Sequence, residues 1–89
     1  MSDDGFVDDF HLEEVVFSVH ILTGEPGWFR ISAYDGKRHH PQVCAFGPTG
    51  TEPVWSEGVD RRWRRDRILE LAREVVREQP PWFRPGHDS

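Results

Sequence analysis

Arg61, Arg62, Trp63, Arg64, Arg65 and Arg67 crowd into seven consecutive positions. So many guanidinium groups suit one kind of chemistry above others, the charge-assisted recognition of phosphate or carboxylate oxygens, because a planar fork of donors meets two oxygens at once. An indole among them stacks on a nucleobase or fills an apolar pocket on a partner. The cluster reverses the sign of its surroundings, since the chain holds 11 basic against 16 acidic residues for a formal net charge of -5. Asp60 with Arg64, Arg62 with Asp66, and Arg67 with Glu70 also have the spacing of ordinary helix-surface ion pairs. A solvated helix face therefore competes with an interface. The first expectation is a protein partner that presents carboxylates, and the alternative is a nucleic acid held through its phosphates.

A second candidate surface lies in the alternating segments further upstream. If one side of those strands is core, the other side shows Val16, His20, Leu22, Trp28, Arg30 and Tyr34, of which Trp28, Arg30 and Tyr34 are the residue types that anchor partners. One helix covers only one side of a sheet. The face is then covered by the C-terminal Trp82 and Phe83, by a second copy in a homodimer, or by a different partner, and its ring-bearing residues have the types found on single-strand RNA platforms.

Metal and catalytic chemistry have less to stand on. His39, His40 and Cys44 form a loose group, but a structural zinc site wants four ligands in close pairs, and His11, His20 and His87 are too scattered to complete one. The stretch Gly47-Pro48-Thr49-Gly50-Thr51 lacks the Gly-Lys-Ser/Thr ending of a phosphate loop, and there is no nucleophile elbow. No cofactor, metal or enzymatic activity is expected.

Composition places these residues in one small domain. At 89 residues, 36% hydrophobic and 12% aromatic, the chain can fold around its ring side chains. Cys44 is the single cysteine, so no internal disulfide can form, and a reducing cytoplasm is the expected location. No apolar run approaches the roughly 20 residues that span a bilayer, so no membrane association is expected. Residues 1–11 read as an acidic flexible leader without periodicity, 12–79 as a single β-β-β-α domain, and 80–89 as a proline-rich tail whose Trp82 and Phe83 fold back as a clasp.

The elements follow from period. Val15, Phe17, Val19 and Ile21 alternate with polar residues, and after the turn cluster Thr23 to Gly27 so do Phe29, Ile31 and Ala33. An antiparallel pairing of Ile21 with Phe29, Val19 with Ile31 and Phe17 with Ala33 matches the two apolar faces. Asp35-Gly36 signals a two-residue hairpin into a third strand. A bulge near His40-Pro41 then brings Val43 opposite Phe29, since proline cannot donate to a ladder. Val54-Trp55 is either a short fourth strand or a packed aromatic. A helix runs to about Glu78, with Ile68, Leu69, Leu71, Ala72, Val75 and Val76 on one face, and Asp60 or Asp66 as its N-cap. The fold class expected is α+β, a three-stranded antiparallel meander, extended to four if Val54-Trp55 pairs, with one C-terminal helix packed on one face. Its expected function is that of a small non-enzymatic regulatory or accessory binding protein centred on the arginine segment. Nucleic-acid binding and structural homo-oligomerisation are the alternatives.

Overall fold

A computed structural model of the chain describes residues 5–60 and 62–79. The expected Trp82-Phe83 clasp and Arg61 lie outside the described residues. Five strands form one antiparallel sheet in sequence order: β1 (Phe6–Leu12), β2 (Val15–Ile21), β3 (Phe29–Tyr34), β4 (His39–Phe46) and β5 (Val54–Trp55). One helix, α1 (Arg65–Arg77), follows. The α+β meander with a packed helix is as expected, with more strands.

The central hairpin has the register that its apolar alternation demands. Ile21 pairs with Phe29, Val19 with Ile31 and Phe17 with Ala33. All of these except Ile21 are buried, and Val19 and Ile31 are fully so. Burying each Val, Ile or Phe side chain among them contributes about 1.5–3 kcal/mol relative to exposure. On the same face Ile68 and Ala72 of α1 reach zero exposure, which fixes the helix to this concave side. Phe10 stacks on Phe17 at 5.3 Å and Phe29 on Phe46 at 5.4 Å, so ring pairs brace both neighbours of the hairpin. The helix approaches β1, while Arg65 lies over the Trp55 ring and Arg73 over Phe46. A helix touched from both ends of the strand order requires a sheet that curls around it.

β1 corrects the expectation of a flexible leader over residues 1–11 for Phe6 to His11, while residues 1–4 lie outside the described residues. A bulge between Phe6 and Asp8 puts Val7 out of step, so Val7, Phe10 and Leu12 all pack on the core although their spacing has no period of two. The turn into β2 is equally unmarked. Glu13 and Glu14 link the paired Leu12 and Val15 with φ of 52° and 68°, the left-handed values of a tight hairpin turn that normally selects Asn and Gly.

The β3–β4 register also differs from expectation. Asp35 Oδ1 accepts from the backbone N–H groups of Lys37 and Arg38 at 2.9 and 3.0 Å, which widens the turn beyond two residues. Tyr34 then pairs with His39, and an irregularity around Pro41 shifts the ladder again before Ile31 meets Cys44. Phe46, not Val43, therefore sits opposite Phe29. The bulge at Pro41 is where the missing N–H requires it, but it absorbs more residues than expected. Beyond β4 the chain runs through Gly47, where a Cβ would lie 2.4 Å from Trp28 Cε2. Trp28 thus covers a bare backbone, a cross-strand aromatic on glycine.

Two glutamates in left-handed conformation are strained by about 1 kcal/mol each. The double substitution Glu13→Asn, Glu14→Gly is expected to stabilise the fold by about 1–2 kcal/mol, read as a raised urea midpoint with unchanged m-value.

Candidate functional site

The arginine segment is organised by its tryptophan, which points inward. Trp63 meets Phe17 edge-on at 5.3 Å and His40 at 5.2 Å, and it packs against the buried core. The ring expected to anchor a partner is thus committed in part to its own core, with the residue remaining half-buried. Asp60 explains the local path. Its Oδ1 accepts from the Arg62 N–H at 2.9 Å and its carbonyl accepts from Trp63 N–H at 3.1 Å, so Asp60 closes a turn instead of capping a helix.

Arg62, Arg64, Arg65 and Arg67 around this ring point outward, each with a neighbour in the chain. Arg62 Nη2 donates to Asp60 Oδ2 at 3.0 Å while its side chain stays 89% exposed. Arg64 stands 3.7 Å from Asp66, and Arg67 donates to Glu70 at 2.7 Å. Arg65 lies 5.2 Å above the Trp55 ring centre. Exposed ion pairs of this kind are weakened by solvent screening, so they exchange readily. The Asp60 carboxyl is held below its usual range, first by the Arg62 side chain and then by the Arg62 amide, and the same pairing raises Arg62.

The N-terminus of α1 is open. Arg64 occupies the N-cap position and makes no side-chain cap hydrogen bond, where Asp60 or Asp66 had been expected, and Asp66 is instead inside the first turn. Arginine has no acceptor with which to satisfy the leading amides.

The other sequence candidates share the convex face of the sheet. Across it run two rows fixed by register. His11, Val16, Tyr34 and His39 form one, and Phe6, His20, Arg30, Ala45 and Val54 form the other. Tyr34 is 50% exposed. Arg30 donates to the Pro41 carbonyl, and Trp28 is half-buried over Gly47. Phe6, 53% exposed, and Val54, 58% exposed, belong to this surface and were missed, because Phe6 had been assigned to the leader and Val54 to an undecided segment. The three exposed large hydrophobic residues among those described all lie on this side. At its centre His20 Nε2 lies 3.2 Å from the buried Ser32 hydroxyl, and Phe6 meets the His20 ring edge-on at 5.7 Å.

The polar strand end does not gather a metal site. His39 faces the convex side opposite Tyr34, whereas His40 faces the concave side opposite Ala33 and Cys44 is fully buried. Among the described residues no group of three or more His, Cys, Asp or Glu is disposed to hold a metal ion. Burial pushes the Cys44 thiol up to about 12, which keeps it protonated and unreactive. His40 instead pairs with Asp35 at 3.3 Å. The Asp35 carboxyl is driven well below the usual range by the Arg38 and Lys37 amides and then by His40. Among the described residues no helix is long and apolar enough to cross a membrane.

No known protein family, curated protein or solved structure matches the chain.

Two outcomes follow from this geometry. Arg64→Asn supplies the missing acceptor and is expected to stabilise the fold by about 1 kcal/mol in urea titrations. Asp35 has a depressed folded-state pKa, so its contribution is present above the unfolded value near 3.8 and is lost as pH falls below it. The stability gap between the wild type and Asp35→Asn, measured as urea midpoints, is expected to hold from neutrality down to about pH 5 and to shrink as pH falls below about 4.

Proposed function

We propose that this chain is a small non-enzymatic regulatory or accessory protein that works by binding another macromolecule, with the convex face of the sheet as its working surface. The observation that carries this reading is segregation. The helix and the aliphatic core occupy the concave side, while Phe6, Tyr34 and Val54 stand exposed on the other. Large side chains in solvent on strand positions add little to the stability of the molecule that carries them, and the placement of all three on one side supports a contact surface there.

The arginines ahead of α1 support a secondary part. Arg62, Arg64, Arg65 and Arg67 sit among Asp60, Asp66 and Glu70, and a surface of mixed sign orients a partner and selects it more than it holds it. Binding without chemistry is supported by Cys44, whose thiol is sealed in the core. The same lone thiol suits a reducing cytoplasmic setting.

Photo-crosslinking tests the assignment of the surface. A benzophenone side chain placed at Tyr34 keeps an aromatic ring there, and one placed at Arg62 probes the arginine segment. Irradiation in native extract is expected to give macromolecular adducts from position 34 that excess wild-type chain competes away and a Phe6→Ala, Tyr34→Ala chain does not. Adducts from position 62 alone, or from neither, overturn the proposal.

A further inference from the structure

We infer that the cleft between the second half of α1 and the loop after β4 binds a small monocarboxylic acid, an acid group carried on an apolar body no larger than an amino-acid side chain. Phe29 and Phe46 place this cleft on the concave side. It goes beyond the reading of the convex face as a contact surface and does not depend on it.

The first support is charge without its counterpart. Arg73 and Arg77 line the cleft, and among the described residues no carboxylate does. Arg62, Arg64 and Arg67 are paired with Asp60, Asp66 and Glu70, whereas Arg73 and Arg77 have no ion-pair partner among the described residues. The cleft beside Arg62 shows the contrast, because Glu13, Glu14, Asp35 and Asp60 line it. Two arginines left for an outside acid are thus on the helix itself. In a chain of net charge -5, a cleft with two guanidinium groups and no acid of its own is complementary to an anion.

The second support is orientation. Arg73 is half-buried, donates to the Gly47 carbonyl at 3.0 Å and lies 5.3 Å above the Phe46 ring centre. These contacts leave most of its five N–H donors available while holding the planar head in place. A fork already fixed loses less freedom when a carboxylate meets it. Arg77, exposed in the last turn, also offsets the negative end of the helix. Arg73 is therefore the anchor, and Arg77 adds attraction.

The third support is the size and lining of the space. Phe29, Phe46, Pro48 and Val76 wall the cleft, whose volume is about 260 Å³. Sites for drug-sized molecules run to roughly 300–1,000 Å³, so this one suits a smaller occupant. Apolar walls beside a guanidinium fork call for both characters in one molecule. Inorganic anions supply the charge and leave the walls unfilled.

Amide NMR spectra of the full chain, followed at Gly27, Gly47 and Thr49 while phenylacetate is added, test the assignment. Saturable shifts at these positions are expected, with phenylacetamide and acetate each binding about tenfold more weakly, one for want of charge and the other for want of a body. Arg77→Glu is expected to weaken phenylacetate binding about tenfold, and Arg62→Glu to leave it unchanged. Arg73→Lys keeps the charge and loses the fork, so a further loss of about tenfold is expected there, with a urea midpoint near that of the wild type verifying the fold. Shifts that do not saturate, phenylacetamide binding as well as phenylacetate, or binding indifferent to Arg77→Glu each overturn the inference. A peptide ending in phenylalanine that binds at the same amides about tenfold more tightly than phenylacetate overturns the free acid and assigns the cleft to the end of a partner chain.

Discussion

A single amphipathic helix has to close one side of a five-stranded sheet, and the rest of the molecule follows from that mismatch. Ile68 and Ala72 are buried in the core while α1 meets the edge strand β1 and Arg65 lies over Trp55 of β5, so the sheet curls until both borders approach the helix. The arginines complete this closure. Arg65 over Trp55 and Arg73 over Phe46 use their apolar stems and flat heads to cover rings that the short helix leaves open. Arg73 also donates to the Gly47 carbonyl at 3.0 Å, tying the end of β4 to the helix. The second side of the sheet has no such cover among the described residues, which is why its composition bears on function.

The same constraint explains the placement of Trp63. A chain of this size has few large side chains for its interior, and the junction between β2, β4 and the start of α1 takes one of them. Pinning the indole against Phe17 and His40 turns a run of arginines into a fixed collar.

Legibility in the sequence followed local regularity. The β2–β3 hairpin was readable to the residue because both strands alternate without interruption and Gly24, Pro26 and Gly27 mark the turn. β1 was unreadable for the opposite reasons, since the bulge at Val7 breaks the alternation and the Glu13–Glu14 turn uses residues that carry no turn signal. The register of β4 failed because Asp35 closes its turn through side-chain bonds to two amides, a geometry that a residue pair alone does not reveal. At the site, the types of Trp28, Arg30 and Tyr34 sufficed to place them on one face. The inward turn of Trp63 was hidden because Asp60 delays the helix, so helical periodicity does not apply before Arg65.

The borders of the sheet bear on how such a face can exist without harm. β5 is only two residues long, Pro41 interrupts the rail of β4 beside it, and β1 presents Asp8 and Asp9 next to its kink at Val7. Each border is thereby a poor template for another strand, through brevity, a missing donor, or repulsion. The molecule can display aromatic rings broadside while resisting the lateral, amyloid-like stacking that a flat ring-rich sheet otherwise invites.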